Sequence, residues 1–178
     1  MDLLAGKDAA TRISGIIHPK YQVHGLSVHL TVRKVYAVDP VGQADFAGSE
    51  YVPAGKIEIA PLRRRPEDRY AWWDLSRGCY FAEFNESLEL AEDEIALLEP
   101  EERLLRAGAA HVPMFLRGRV APVEALLQVE ALRVQIKQNA RIARLRVFRL
   151  QPSAASAKLR RQRGAGAAPR KKQRKKSK

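Results

Sequence analysis

Apolar and polar residues alternate with period two along much of the chain. Val28, Leu30 and Val32 interleave with His29, Thr31 and Arg33, which predicts a strand with one buried face. Similar short runs recur at Lys56 to Ile59, Tyr80 to Phe84, Glu94 to Leu98, Val123 to Val129, Arg133 to Ile136 and Ala143 to Leu150. Pro40, Gly42, Pro53, Gly55, Pro61, Pro66 and Gly78 punctuate these runs and keep them short. Short punctuated strands favour a barrel or sandwich over a doubly wound sheet. Helical spacing is confined to two places. Asp2 is positioned to cap a helix reaching about Ser14, with Leu3, Leu4, Ala10 and Ile13 as its apolar stripe and Gly15 as its stop. Glu101 to Ala107 fits one helical turn or two. The pattern therefore predicts a mainly β body over residues 1–150 with a short N-terminal helix.

Beyond Leu150 the composition shifts to Ala, Ser, Gly, Lys and Arg, with Leu159 as the only large apolar side chain. A segment this poor in apolar residues cannot offset its ordering entropy, so residues 151–178 are predicted to be a disordered extension. The extension also changes the reading of charge. The chain carries a net charge of +12, yet 11 of its 32 basic residues lie after Leu150 with no acidic one, leaving 21 basic against 20 acidic in the body. Its cations fall in two clusters, Lys158, Arg160, Arg161 and Arg163, then Arg170, Lys171, Lys172, Arg174, Lys175, Lys176 and Lys178, separated by Gly164 to Pro169. Such clusters displace counterions from nucleic acid and predict polyanion binding without sequence preference. On the body, Arg63, Arg64 and Arg65 precede Pro66, while Arg144 and Arg146, with Arg141 and Arg149, mark the last predicted strand as an exposed basic row beside the root of the extension; ordinary solvated strand residues are the equal alternative. Tyr70, Trp72 and Trp73 read as packing residues, with base stacking as the other reading.

Other chemistry is sparse. A single cysteine, Cys79, excludes an internal disulfide and points to an intracellular, cytoplasmic setting. His18, His24, His29 and His111 show no metal-ligand spacing, so no metal or cofactor is expected. No apolar run is long enough to predict a membrane helix.

From Gln22 to Leu150 the chain resembles the dUTPase and dCTP deaminase superfamily, in particular its compact archaeal-type members. The stretches that carry the resemblance are QVHGLSVHLTV (22–32), LSRGCYFAEFNESLEL (75–90), RLLRAGA (103–109) and QIKQNARIARLRVFRL (135–150). It implies a distorted β-barrel or jelly-roll-like fold, usually assembled as a trimer with active sites between subunits, and hydrolysis or deamination of deoxynucleoside triphosphates. Several positions that the resemblance makes functional are changed. Its Gly-x-Asp-Leu element reads Gly25, Leu26, Ser27; its phosphate-gripping Pro-Arg-Ser-Ser element reads Pro100, Glu101, Glu102, Arg103. The acid expected shortly before Gly118 and Arg119 is missing from Val112 to Leu116, and Arg144 stands where a glutamine is usual. Two carboxylates facing a triphosphate would repel it by about 1 to 4 kcal/mol each, and hydrolysis needs a proton acceptor for water. Asp45, Glu83, Glu86 and Glu124 are the other acids in reach of such a role, with Glu83 and Glu86 read as polar residues at a strand edge or turn.

These substitutions predict a scaffold without the family reaction, not an enzyme. Joined to the basic extension, they predict an RNA-binding structural protein, a component of the ribosome whose tail enters rRNA, through the eleven tail cations with Arg144 and Arg146. The alternatives are an active dUTP or dCTP hydrolase or deaminase with a basic tail, and a DNA- or chromatin-binding protein. A family-type homotrimer stays open.

Overall fold

The computed structural model describes residues 1–39 and 41–151. Its strands are β1 (Asp2–Leu3), β2 (Ile13–Ser14), β3 (Val23–His24), β4 (Ser27–Val38), β5 (Lys56–Glu58), β6 (Trp72–Phe84), β7 (Ser87–Glu89), β8 (Glu94–Pro100), β9 (Ala109–His111), β10 (Met114–Leu116), β11 (Arg119–Val120), β12 (Glu124–Lys137) and β13 (Arg141–Arg149), and the predicted alternating segments fall in β4, β5, β6, β8, β12 and β13. Three short helices join them: α1 (Gly6–Ala10), α2 (Pro19–Gln22) and α3 (Glu102–Arg106). The fold is mainly β, as the alternation predicts. One ten-stranded antiparallel sheet runs β10-β8-β13-β4-β6-β12-β9, with β1 added to β13 and both β3 and β5 to β4. It curls into a half-barrel, and a small β11-β7-β2 sheet lies beside it.

The curl follows from which face is apolar. Val28, Leu30 and Val32 of β4, Ala96 and Leu98 of β8, Leu127 and Val129 of β12, and Leu145 and Val147 of β13 all turn inward and are buried. Each such aliphatic side chain contributes about 1.5 to 3 kcal/mol on burial. The long β4 is shared: residues 28–31 pair with β13 and residues 32–37 pair with β6, so the sheet bends around it. Trp73 is 1% exposed and its indole N–H donates to the Ile59 carbonyl at 2.8 Å, which makes it a core residue. Trp72, half-buried, instead carries the Arg64 guanidinium 3.8 Å above its ring.

Two sequence expectations change here. The predicted strands 123–129 and 133–136 are one strand, β12, interrupted by a bulge between Val129 and Arg133. The predicted N-terminal helix is only five residues long, because Asp2 and Leu3 pair with Arg149 and Phe148 on the sheet edge and Ala5 remains extended at ψ 149°. Asp2 therefore caps nothing; its carboxylate accepts from Gln151.

The bulge positions α3. Gly108 closes that helix at φ +85°, and its carbonyl accepts the N–H groups of Glu130 and Ala131. A Cβ added at Gly108 would meet the Ala131 Cβ at 2.6 Å, so only glycine lets the chain cross the bulge this closely.

Candidate active site

Three clefts adjoin where β12 turns into β13. The first, about 340 Å³, lies between α2 and that turn and is lined by Tyr21, Gln22, Thr31, Tyr70, Lys137 and Arg141 among others. Lys137, Ala140 and Arg141 also line a second of about 250 Å³, which Arg103 and Leu104 of α3 complete. Arg103 leads on into a third of about 350 Å³, beside Glu101, Glu102 and Arg106. The track thus passes Lys137, Arg141, Arg103 and Arg106 in turn. Lys137, Arg141 and Arg103 along the first two clefts suit an extended polyanion such as a triphosphate, whereas in the third cleft Arg103 and Arg106 stand beside Glu101 and Glu102. Its aromatic end, with Tyr21 exposed and Tyr70 half-buried, suits a planar ring. The Lys137 ammonium lies 5.9 Å from the Tyr70 ring and 5.4 Å from that of Trp72. The Arg141 guanidinium donates to the Tyr21 carbonyl, tying α2 to the turn.

Behind the first cleft is a buried polar network. Glu86, 0% exposed, accepts from the Thr31 N–H at 2.9 Å, the Thr31 hydroxyl at 2.7 Å and the Gln22 amide at 2.6 Å. Gln22 in turn accepts the N–H groups of Ile17 and His18. Asn85 links Thr31 to Asn139 in the β12–β13 turn. Burial pushes the Glu86 pKa up, against the three donors that pull it down. Glu86 does lie in the turn between β6 and β7, as the sequence suggests, but it is fully buried, so the FNE segment forms the polar network behind the cleft.

The other acids considered as proton acceptors are also engaged. Glu83, buried, accepts from the Tyr36 hydroxyl at 2.8 Å. Glu124 pairs with Lys56 at 2.5 Å, and Asp45 accepts the N–H groups of Gly48 and Glu50 within an exposed loop.

The segments that carry the changed motif positions meet across three neighbouring strands. His29 of β4 stands in register with Arg144 of β13, which stands in register with Glu99 of β8. Glu101, just before α3, is 7% exposed and accepts from His29 Nδ1. Burial disfavours its charge, but the hydrogen bond from His29 and the nearby charges of His29, Arg144 and Arg103 outweigh this and leave its pKa below the ordinary value. Glu102 pairs with Arg106 at 2.5 Å. Glu101 and Glu102 consequently do not stand together as unopposed charges against a triphosphate, as the sequence alone suggests; one points inward and the other is neutralised one helical turn away.

Arg144 and Arg146 do not form a free basic row. Arg146 pairs with Glu99, and Arg144 Nε lies 3.9 Å from the same carboxylate, buried and without a hydrogen-bond partner among the described residues. Arg149 binds Glu94 at 2.9 Å. Arg146 and Arg149 of β13 are thus engaged by Glu99 and Glu94 within the fold, which weakens the strand as an RNA-facing row. The remaining predicted RNA contacts, Lys158, Arg160, Arg161, Arg163, Arg170, Lys171, Lys172, Arg174, Lys175, Lys176 and Lys178, lie outside the described residues. The His29–Glu101 pair was missed because its partners are 72 residues apart, and no local spacing joins them. Among the described residues no group of three or more His, Cys, Asp or Glu side chains is gathered as a metal site requires, and no helix is long and apolar enough to cross a membrane.

Comparison with known proteins bears directly on this site. No family model matches the chain. It is 31% identical over 137 residues, 75% of each chain, to a protein of Methanosarcina acetivorans named "Probable deoxyuridine 5'-triphosphate nucleotidohydrolase". Its fold overlays the 2'-deoxycytidine 5'-triphosphate deaminase of Agrobacterium tumefaciens with a TM-score of 0.59 at 14% identity, covering 90% of this chain and 53% of the deaminase, so the chain spans about half that protein's length. The dUTPase of Staphylococcus bacteriophage 80alpha overlays with a TM-score of 0.40 at 9% identity, over 52% of this chain and 77% of its own. A relative named as a nucleotide hydrolase at this identity and coverage overturns two expectations: that the chain is not an enzyme, and that it is an RNA-binding ribosome component. The physical error lay in treating a changed motif position as a lost function without knowing what each new side chain touches.

Proposed function

The chain belongs to the dUTPase and dCTP deaminase superfamily, and on that footing we propose that it hydrolyses or deaminates a pyrimidine deoxynucleoside triphosphate, dUTP or dCTP. The observation that carries the reading is the 31% identity to a curated dUTP nucleotidohydrolase across three quarters of both chains. The cation track supports it. In this reading the base and sugar occupy the cleft between Tyr21 and Tyr70, and the triphosphate runs past Lys137 and Arg141 towards Arg103 and Arg106. Fixed cations beside the transferring phosphorus stabilise the charge that develops as pyrophosphate leaves.

The test is direct. Purified full-length protein is incubated with dUTP, dCTP, UTP and CTP, and pyrophosphate and ammonia are measured separately. Turnover of dUTP or dCTP in preference to the ribonucleotides is the expected result, and the product identifies hydrolysis or deamination. Failure to turn over either deoxynucleotide contradicts the reading.

A further inference from the structure

We propose that the adjacent Asn85 and Glu86 are positioning residues for the nucleotide: together they set the gap between α2 and the β12–β13 turn, and with it the fit of base and sugar in the first cleft. This rests on the proposed function, which seats those groups between Tyr21 and Tyr70. The walls of the cleft come from separate parts of the chain. Residues from Ile17 to Gln22 form one side, Gln138 to Arg141 the other, and Thr31 of β4 also lines it. Each wall is held by one residue of the β6–β7 turn. Glu86 accepts from the Gln22 amide at 2.6 Å, and the Gln22 oxygen accepts the N–H groups of Ile17 at 2.9 Å and His18 at 2.7 Å, at the start of α2. Asn85 donates at 2.9 Å to the Asn139 side chain on the opposite wall. Both arms meet at Thr31, whose hydroxyl donates to Glu86 at 2.7 Å and accepts from Asn85 at 3.0 Å. The bond from Arg141 to the Tyr21 carbonyl joins the two walls directly.

The arrangement costs the fold in two places. Glu86, Gln22 and Thr31 are all but sealed from solvent, and burial penalises the Glu86 charge, yet the groups that hold it are neutral donors rather than a cation. Asn139 is the one non-glycine residue with a positive φ, 60°, among the described residues, and its side chain is the one that Asn85 grips. A strained backbone and a fully satisfied buried polar network both fix a single geometry, here that of the cleft walls. The network is also specific to a carboxylate, because every group facing Glu86 is a donor. Glutamine in its place sets an NH2 against either the Thr31 N–H or the Gln22 amide. The second clash is relieved when Gln22 turns over, which withdraws its oxygen from Ile17 and His18 and releases α2.

The experiment compares full-length wild type, Glu86→Gln and Glu94→Gln by kcat and KM for the triphosphate that is turned over, and by amide hydrogen exchange. Glu94 is as buried as Glu86 but lines none of the three clefts, so its variant controls for a general loss of stability. Glu86→Gln should show a roughly tenfold higher KM with kcat within about threefold of wild type. Its Ile17 and His18 amides should exchange about tenfold faster, while those of Glu130 and Ala131, bonded to the Gly108 carbonyl, keep the wild-type rate. Glu94→Gln should match wild type in KM and in exchange at Ile17 and His18. In the wild type, the α,β-imido analogue of the same triphosphate should slow exchange at both amides. An unchanged KM in Glu86→Gln, or equal rises in both variants, overturns the proposal and leaves the nucleotide reading standing. So does an analogue that binds without slowing exchange at Ile17 and His18, a result that needs no variant to fold. A wild type inactive on both dUTP and dCTP removes the reading itself, and the positioning role with it.

Discussion

Glu94 is 1% exposed, with nitrogens of Arg12 and Arg149 each 2.9 Å from Oε1. Its pKa falls to about 2, through the hydrogen bond from Arg12 first, with burial opposing and the bond from Arg149 assisting. Because the folded-state value is depressed, this stabilisation is complete above the ordinary glutamate value of 4.5 and is lost as pH falls towards 2. Glu94→Gln should therefore be less stable than wild type by about 2 kcal/mol at pH 7, with the gap closing between pH 4.5 and 2; urea unfolding across that range checks it, and a gap independent of pH would refute it. Glu86 behaves with the opposite sign. Its raised pKa means that ionisation costs stability, and the cost is relieved as pH falls. At the candidate site, removal of Arg103 or Lys137 by alanine should each raise KM for the nucleotide roughly tenfold, the equivalent of one charge-assisted contact of about 1.4 kcal/mol. An unchanged KM in both would take the triphosphate off this track. None of these pairings was visible in the sequence, because the partners of Glu94 and Glu86 lie 55 to 82 residues away.

At the scale of elements the alternation was informative and the helical spacing less so. Residues 28–32 lie within β4 and residues 143–149 within β13, because a buried face imposes period two wherever a strand crosses the core. The N-terminal stripe of Leu3, Leu4, Ala10 and Ile13 misled for a related reason: an edge strand claimed Leu3, and hydrogen bonds to β13 replaced the first helical turn. The split of β12 into two predicted strands marked its bulge without identifying it. That bulge and Gly108 tie the C-terminal end of α3 to β12, and with it the helix that carries Arg103 and Arg106. Gly108→Ala combines a positive φ with a 2.6 Å clash, and should lower stability by about 1 to 3 kcal/mol and reduce turnover by displacing α3. A variant with the wild-type urea midpoint and kcat would show that the contact is not needed.

For the whole molecule, charge is divided between a nearly neutral body and the eleven cations after Leu150, and that division led the sequence reading towards RNA. The apolar and glycine positions correctly indicated the superfamily, since they shape the half-barrel. They could not report activity, because a fold does not fix its chemistry and the side chains lining the candidate clefts are brought together from α2, the β12–β13 turn and α3. What the sequence presents as two carboxylates facing a triphosphate, the fold presents as Glu101 turned inward onto His29 and Glu102 paired with Arg106. The most direct measurement is the steady-state release of pyrophosphate and of ammonia from dUTP and dCTP by the full-length protein. Sustained turnover of one of them, abolished by heat denaturation and preferred over the matching ribonucleotide, is predicted; no product above the uncatalysed rate from either would contradict the account.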